Sequence, residues 1–204
     1  DVLVGEATVP QAAIMTSVPN VAIVPSTMDL LGVELTIAGQ ADRAFKLRNA
    51  FKQMSELRIN DREVSYILID CPPSLNLLTV NSLVAADAVL VPLQCEFFAL
   101  EGLSQLLQTI EQIRSTLNPR LSIQGVVMTM FDKRNNLSEQ VLNDVRSEMG
   151  DLVYDTVIPR NVRLSEAPSY GKPALLYDLK CAGSQAYLRL ATEVIRRERR
   201  LNAA

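Results

Sequence analysis

Short apolar runs alternate with amphipathic helical patterns along the chain, and this alternation constrains the fold more than any other feature. The clearest run is 64–70 (VSYILID), which is rich in β-branched residues and predicts a buried strand ending in an acid. Further runs predict strands at 20–24, 88–93, 121–130 and 152–158. Helical patterns lie at 26–57, 75–86, 100–117, 138–149 and 183–200. Buried strands that alternate with helices indicate a doubly wound α/β fold, with a mostly parallel sheet and helices on both faces.

Capping and breaking residues predict where the helices begin and end. Gly32 or Gly39 is expected to divide the helical pattern at 26–57. Ser138 is the predicted N-cap of the helix at 138–149, and Gly150 is predicted to end it. No internal repeat or low-complexity linker interrupts the chain, so residues 1–204 are predicted to form a single domain.

The residue types that are absent exclude several kinds of chemistry. The chain has no histidine, which excludes Ser-His-Asp triads, Cys-His nucleophiles and most zinc sites. Cys71, Cys95 and Cys181 lie far apart and are expected to be reduced thiols rather than ligands of zinc or an iron–sulfur cluster. An enzyme built from this chain would have to use carboxylates, Lys, Arg, a bound metal or backbone amides.

Charge and hydropathy limit the expected partners. The net charge is −3, so DNA binding would need a local basic patch rather than a positive field over the whole surface. The longest apolar runs, such as 85–93 with Asp87 inside it, are shorter than the ~20 residues of a membrane helix. The first residues have neither the basic start nor the apolar stretch of a signal peptide. A cytoplasmic protein is therefore expected.

Three polar segments follow predicted strands, at 70–74, 94–96 and 131–134. Ligands of open α/β sheets bind beyond the carboxyl ends of the strands, so these segments are the first candidates for a site. Asp70 ends its run as a Walker B acid does, close to a Mg²⁺ that also touches nucleotide phosphates. Pro72 and Pro73 would then fix the course of the chain beyond it. An acid that caps the next helix or turn fits the strand pattern equally well.

Longer motifs resemble the ParA/MinD family of deviant-Walker ATPases. Segment 66–74 (YILIDCPPS) resembles the Walker B segment of that family. The ParA (Soj-like) branch is indicated by 91–102 (VPLQCEFFALEG), 129–132 (TMFD), 158–168 (IPRNVRLSEAP), 169–173 (SYGKP) and 177–178 (YD). These motifs cover nearly all of 60–200 in the family's order, whereas 1–60 fits more loosely. The resemblance implies a P-loop NTPase-like fold and an ATPase that segregates DNA.

The resemblance also implies a nucleotide site with ATP and Mg²⁺ as cofactors. Asp70 matches the acid that orients Mg²⁺, usually through water, and is the expected catalytic and metal-site residue. Pro159, Arg160 and Asn161 match the loop that contacts the adenine base.

DNA is the second ligand that the resemblance implies. Arg134 and Arg163 match basic positions of sequence-independent DNA binding by an ATP-bound homodimer, although solvated surface charge is the plainer interpretation. A ParB-type protein would stimulate hydrolysis, no membrane is expected as a partner, and the protein would be cytoplasmic and nucleoid-associated. The terminal arginines are interpreted as favourable charges at a helix C-terminus rather than a DNA site: 196, 197, 199 and 200.

One expected motif does not occur in these 204 residues. The family carries a Gly-rich phosphate-binding loop of the form K-G-G-x-G-K-T, and the eight glycines of this chain never cluster. The chain also does not begin with Met, so the loop and the first strands are expected upstream of Asp1. The 204 residues alone are expected to be poorly stable and unable to hydrolyse ATP.

Two other functions remain open from the sequence. One is a MinD-like ATPase that positions cargo at a membrane or scaffold, although the terminal helix is weakly apolar for membrane attachment. The other is a non-enzymatic α/β binding module that lacks a phosphate loop.

Overall fold

The structure, a computed structural model, describes residues 1–53, 58–59, 62–72 and 74–201. The chain divides into two compact units, each built from two stretches of sequence. The first consists of Asp1–Ala88 and Ile110–Ser122, and the second of Val89–Thr109 and Ile123–Ala204. The prediction of a single domain stays a prediction.

Short elements make up the first part of the chain. They are α1 (Val9–Ala12), β1 (Ile14–Met15), β2 (Ala22–Ile23), α2 (Leu30–Ile37), α3 (Lys46–Lys52), β3 (Arg58–Ile59), β4 (Arg62–Glu63) and α4 (Leu77–Ala85). The strands form two antiparallel pairs, β1 with β2 and β3 with β4. Only two residues of the predicted strand at 20–24 are in β2. Within the helical pattern at 26–57, the described part at 26–53 forms two α-helices, with Gly39 between them and Gly32 inside the first, and 54–57 lie outside the described residues.

A buried asparagine joins two helices of the first unit. Asn81 on α4 is 1% exposed. Its amide nitrogen donates to the carbonyl oxygens of Arg43 and Leu77 at 2.8 and 2.9 Å. Its amide oxygen accepts from the Leu47 N–H at 3.3 Å, in the first turn of α3. Since a buried amide must be fully bonded, these contacts fix the course of the chain into α3.

The predicted strand at 64–70 is wrong for the structure as described. The segment is extended, but none of its residues is in a strand. Tyr66, Ile67 and Leu68 are 54%, 46% and 91% exposed. A strand requires a ladder of backbone hydrogen bonds with a neighbouring strand, and none of the sheets among the described residues includes this segment.

The rest of the chain contains longer elements together with two short helices that the sequence did not predict. They are β5 (Ala88–Gln94), α5 (Ala99–Thr116), β6 (Ser122–Thr129), α6 (Asn136–Met149), α7 (Val162–Glu166), α8 (Ala174–Tyr177) and α9 (Ala182–Leu201). The strands predicted at 88–93 and 121–130 and the helices predicted at 75–86, 100–117, 138–149 and 183–200 are confirmed.

β6 has a parallel neighbour on each side. Hydrogen bonds join β5 to β6, with the Cys95 N–H just beyond β5 donating to the Thr129 carbonyl oxygen at 3.1 Å. On the other side, parallel bridges pair Val126 with Val153 and Phe131 with Pro159. The strand predicted at 152–158 is therefore not a continuous strand, since Leu152 ends a 3-10 turn and Val153 is in an isolated bridge. These pairings place three chain segments in parallel order, as a crossover α/β fold requires.

Side chains on both faces of β6 are buried, because successive residues of a strand point to opposite faces. Val126 and Met128 belong to a core that includes α5 and α6. Val127 belongs to a second core with Tyr154, Ile158 and residues of α9. Helices therefore cover both faces of this part of the sheet, as the alternating sequence pattern predicted.

The end of α6 follows prediction, but its beginning does not. Gly150 follows the last residue with φ +53°, a positive value that glycine adopts more readily than other residues. The N-cap is Asn135, whose side-chain oxygen accepts from the Leu137 N–H at 3.0 Å. Ser138, the predicted cap, is 2% exposed within the helix, so the prediction of its role is wrong.

Candidate functional site

The chain bends sharply where β6 ends. Met130 has φ +54°, in the left-handed region that costs a residue with a side chain about 1–2 kcal/mol. Such conformations concentrate at functional sites, where the surrounding structure holds them. The bend leads directly into the predicted segment 131–134 at the carboxyl end of the strand.

Asp132 and Arg134 form a bidentate ion pair in this segment. The Arg134 Nε and Nη2 atoms donate to the two carboxylate oxygens of Asp132 at 3.0 and 2.9 Å. The Arg134 backbone N–H adds a third hydrogen bond at 3.0 Å. These bonds, with a smaller contribution from the nearby charge of Arg160, lower the pKa of Asp132 to about 2. The Arg134 side chain is still 89% exposed, so its outer face is open to an anion.

The loop at 158–161 lies beside this segment. The Phe131 N–H donates to the Ile158 carbonyl oxygen at 3.2 Å, and the Arg160 N–H donates to the Phe131 carbonyl oxygen at 2.9 Å. These two bonds continue the parallel pairing of β6 past its end. The structure thus brings together two predicted sites, Pro159-Arg160-Asn161 and the segment that carries Arg134.

Asn161 joins this loop to α7. Its side-chain oxygen accepts from the Arg163 N–H at 3.0 Å and caps the helix. Arg163 is therefore in the first turn of α7, on the chain segment that continues from the predicted adenine loop.

The Arg163 side chain is paired with two carboxylates. Its Nη1 atom donates to Glu166 at 3.0 Å, and its Nε atom lies 3.6 Å from a carboxylate oxygen of Asp178. The Glu166 carboxylate and the nearby Tyr177 hydroxyl raise the pKa of the guanidinium. Because 55% of the Arg163 side chain is exposed, these are surface ion pairs of low strength that salt weakens further.

A close contact between two helices fixes α7. A Cβ atom added at Gly183, in the first turn of α9, would lie 2.5 Å from the Leu164 side chain. Any larger residue at position 183 would force the Leu164 side chain to move. The position of Arg163 thus depends on the packing of Leu164 against α9.

Asp70 belongs to the first unit, whereas the loops at 131–134 and 158–163 belong to the second. Asp70 is exposed, and the Sγ atom of the next residue, Cys71, donates to the Ile69 carbonyl oxygen at 3.6 Å. The N-cap of α4 is Asn76, whose side chain accepts from the Thr79 N–H at 3.0 Å. Asp70 therefore does not cap that helix. Of the two alternatives that the sequence left open, capping of the next helix is excluded and capping of a turn is still open.

The role of Asp70 at a Mg²⁺ site stays a prediction. No group of three His, Cys, Asp or Glu residues that could hold a metal exists in the part of the chain that the structure describes. Mg²⁺ is typically bound by one or two carboxylates together with substrate phosphates and water rather than by an all-protein cage. A single exposed carboxylate at Asp70 fits that requirement.

Two residues of α9 were not predicted as part of the site. Glu193 accepts from the backbone N–H groups of Asp155 and Thr156, and Arg197 donates to the carbonyl oxygens of Asp151 and Val153. Arg197, predicted as a favourable charge near the C-terminus of a helix, also binds this backbone through its guanidinium. The spacing of an acid and a base four residues apart was the available signal.

Comparisons with known proteins agree with the motifs. A protein-family model described as an AAA domain matches residues 1–123. The chain is 64% identical over 199 residues to the chromosome partitioning protein ParA of Caulobacter vibrioides, covering 98% of this chain and 73% of that protein. The chain belongs to the ParA/Soj family of chromosome-partitioning ATPases. The sporulation initiation inhibitor protein Soj of Bacillus subtilis is 47% identical over 194 residues, covering 95% of the chain and 74% of Soj.

Solved structures confirm the fold of this ParA/Soj chain. A crystal structure of cobyrinic acid a,c-diamide synthase from Mycobacterium smegmatis matches with a TM-score of 0.75 and 33% identity, over 96% of this chain and 70% of that one. The same enzyme with bound ATP analogue and magnesium matches with a TM-score of 0.67 over 84% of this chain and 72% of that one. The predicted P-loop NTPase-like α/β fold is therefore confirmed.

No helix among the residues that the structure describes is long and apolar enough to span a bilayer.

Proposed function

We propose that the protein is an ATPase that segregates DNA, and that it binds DNA without sequence preference when it holds ATP. The observation that carries the proposal is the 64% identity to a chromosome partitioning protein over 98% of this chain. The adjoining loops at 131–134 and 158–163 supply the chemistry, since they carry exposed arginines beside a loop that resembles an adenine-binding segment.

ATP and Mg²⁺ are the proposed cofactors. Pro159, Arg160 and Asn161 contact the adenine base, and Asp70 holds the metal, through water, as the residue that supports catalysis. When bound, Mg²⁺ neutralises the charge on the phosphate oxygens during phosphoryl transfer. Support comes from the exposed Asp70 carboxylate and from an enzyme of the same fold, 33% identical, that was crystallised with an ATP analogue and magnesium.

Arg134 and Arg163 are the proposed DNA contacts. Each guanidinium is exposed on one side and paired with a carboxylate of its own chain on the other. A DNA phosphate can replace or extend such surface pairs at small cost, because exposed ion pairs contribute only about 0–1 kcal/mol. Binding through phosphates explains how a chain of net charge −3 can bind DNA without reading its sequence.

The functional form is proposed to be a homodimer that forms with ATP. A ParB-type protein stimulates hydrolysis and so releases the dimer from DNA. The protein acts in the cytoplasm, on the nucleoid, without a membrane partner. Support for this part comes from the family alone.

ATP turnover by the full-length protein tests the catalytic proposal. We expect Mg-ATP hydrolysis that rises when DNA and a ParB-type protein are added together. Asp70→Asn should lower the stimulated rate at least about 100-fold, while the matched variant Asp87→Asn, at another exposed acid, should not. Equal rates for Asp70→Asn and wild type would contradict the role of Asp70. Absence of turnover in the wild type would favour a non-enzymatic binding module.

Replacement of Arg163 tests the DNA site separately. Arg163→Glu should weaken DNA binding and leave binding of a fluorescent ATP analogue unchanged, because it reverses the charge that faces the phosphates. Arg189→Glu is the control, at an exposed arginine of α9. Equal loss of DNA and nucleotide binding in Arg163→Glu would refute the role given to Arg163.

A further inference from the structure

Glu193 is a buried carboxylate that binds backbone rather than solvent. It lies on α9 and is 4% exposed. One carboxylate oxygen accepts from the Asp155 N–H at 2.9 Å, and the other accepts from the Thr156 N–H at 3.0 Å. Burial raises the pKa of Glu193, but the hydrogen bonds from Thr156 and Asp155 and the charge of Arg197 outweigh burial and lower it. The carboxylate is therefore charged at neutral pH and binds two consecutive amides.

Arg197 completes the contact one turn later on the same helix. Its Nη2 atom donates to Glu193 at 2.9 Å and to the Val153 carbonyl oxygen at 2.8 Å, while Nη1 donates to the Asp151 carbonyl oxygen at 2.8 Å. The guanidinium also lies over the ring of Tyr154, 4.2 Å from its centroid. We call Glu193 and Arg197 the α9 clamp. Together they bind backbone groups of four residues between 151 and 156.

The bound backbone leads directly into the loop at 158–161. Two residues after Thr156, the Ile158 N–H donates to the Met128 carbonyl oxygen at 2.8 Å. The Arg160 N–H then donates to the Phe131 carbonyl oxygen at 2.9 Å. The segment 151–160 is thus held by the α9 clamp at its start and by the end of β6 at its other end. The Tyr154 N–H also donates to the Val126 carbonyl oxygen of β6 at 2.9 Å, and the clamp adds side-chain bonds to the backbone on either side of Tyr154.

We propose that Glu193 and Arg197 are positioning residues for nucleotide binding: the α9 clamp sets the position of the loop Pro159–Asn161 that recognises the base of ATP. This inference rests on the proposed function, which assigns the base to that loop. Neither clamp residue touches the nucleotide. A loop that recognises a base depends on its backbone position, and a displacement of about 1 Å is enough to change binding or rate by up to about 100-fold.

Loss of the clamp should change the kinetic constants for ATP in a specific pattern. Glu193→Gln keeps the size of the side chain, but it removes the charge and turns one acceptor into a donor that faces an N–H group. We expect the KM for ATP to rise about 10-fold or more, with a smaller change in kcat, since the residues of phosphoryl transfer are not moved. The preference for ATP over GTP should fall, an effect that general destabilisation does not produce. Arg197→Gln should act in the same direction and more weakly.

The experiment uses the full-length protein and combines hydrogen exchange with kinetics. Exchange of peptides that cover 151–161 is measured without nucleotide in wild type, Glu193→Gln, Arg197→Gln and the control Arg189→Gln. Arg189 is an exposed arginine on the same helix. Steady-state ATP and GTP hydrolysis is then measured for the same four proteins and for Arg160→Ala.

The expected result is faster exchange over 151–161 in both clamp variants together with a higher KM for ATP and a lower ATP preference. Exchange equal to that of the Arg189→Gln control would overturn the clamp itself. Faster exchange with unchanged KM and preference would overturn its positioning role, provided that Arg160→Ala does alter them. If Arg160→Ala also leaves both unchanged, the assignment of the base to this loop fails, and the inference fails with it.

Discussion

Gly125 on β6 offers a sharp test of how the segment 152–158 lies against the strand. A Cβ atom added there would lie 2.5 Å from the Tyr154 ring atom Cε2 and 2.8 Å from the Leu152 carbonyl oxygen. Tyr154 is fully buried, so its ring has no room to withdraw. The φ angle of Gly125 is +157°, which residues with side chains rarely adopt. Alanine at this position must therefore displace backbone as well as a buried ring.

The cost of Gly125→Ala has two parts. Overpacking a dense core costs about 1–3 kcal/mol, and an unfavourable backbone conformation adds at least about 1 kcal/mol. The free energy of unfolding should therefore fall by about 2–4 kcal/mol. For a protein of this size, that corresponds to a melting temperature lower by about 5–15 °C.

Urea unfolding of the full-length protein, followed by circular dichroism, measures this change. Gly102→Ala is the matched control, because a Cβ atom there meets nothing within 4 Å and Gly102 lies inside α5. The control should gain about 0.5–1 kcal/mol, since alanine is the better helix former. An unchanged midpoint for Gly125→Ala would refute the close packing of Tyr154 against β6.

Three further predictions concern single groups. Asn135→Ala should lower the free energy of unfolding by about 1 kcal/mol because α6 loses its N-cap; an unchanged urea midpoint would contradict this. Because burial raises the pKa of the Cys95 thiol to about 11, about 0.1% of it is thiolate at pH 8, and iodoacetamide should label exposed Cys71 far faster, as peptide mass spectrometry will show. Equal labelling would place Cys95 at the surface. Arg134 lowers the pKa of Asp132 from 3.8 to about 2, so the pair should persist above pH 4 and be lost as the pH falls through about 2. Carboxyl NMR of Asp132 should show titration near 2 in the wild type and at a clearly higher pH in Arg134→Gln, which keeps the backbone hydrogen bond and Arg160; identical titration in both would refute the pair.

Local patterns in the sequence predicted most helices, because the spacing of apolar residues along a helix reflects the face that the helix buries. The beginning of α6 was predicted at the wrong residue, because Asn135 and Ser138 are both good capping residues. N-cap propensity alone does not distinguish between them. The choice depends on burial, since Ser138 is 2% exposed inside the helix.

Strand predictions depend on partners that a run of residues does not contain. Segment 88–93 was correctly predicted because β6 accepts its hydrogen bonds. Segment 64–70 has a stronger strand pattern, but it belongs to none of the sheets among the described residues. β-propensity reports how well side chains suit a sheet, and it does not supply the neighbouring strand.

The sequence motifs predicted which residues belong to the candidate site, but they did not predict what those residues contact. The pairs of Arg134 with Asp132 and of Arg163 with Glu166 lie within three residues in sequence and were open to prediction. The contact of Arg163 with Asp178 and the contacts of Glu193 with Asp155 and Thr156 join residues 15 or more positions apart in sequence. Such contacts follow from the tertiary fold and have no local signature.

The salt dependence of DNA binding tests the central claim most directly. The affinity of the full-length protein for a duplex of arbitrary sequence is measured with ATP and with ADP over a range of salt concentrations. Two arginines in each chain of a dimer give four phosphate contacts, so with ATP the plot of log affinity against log salt should have a slope of about −3.6. Binding should be much weaker with ADP. Equal affinity with both nucleotides, or affinity that does not change with salt, would contradict ATP-dependent binding of the DNA backbone.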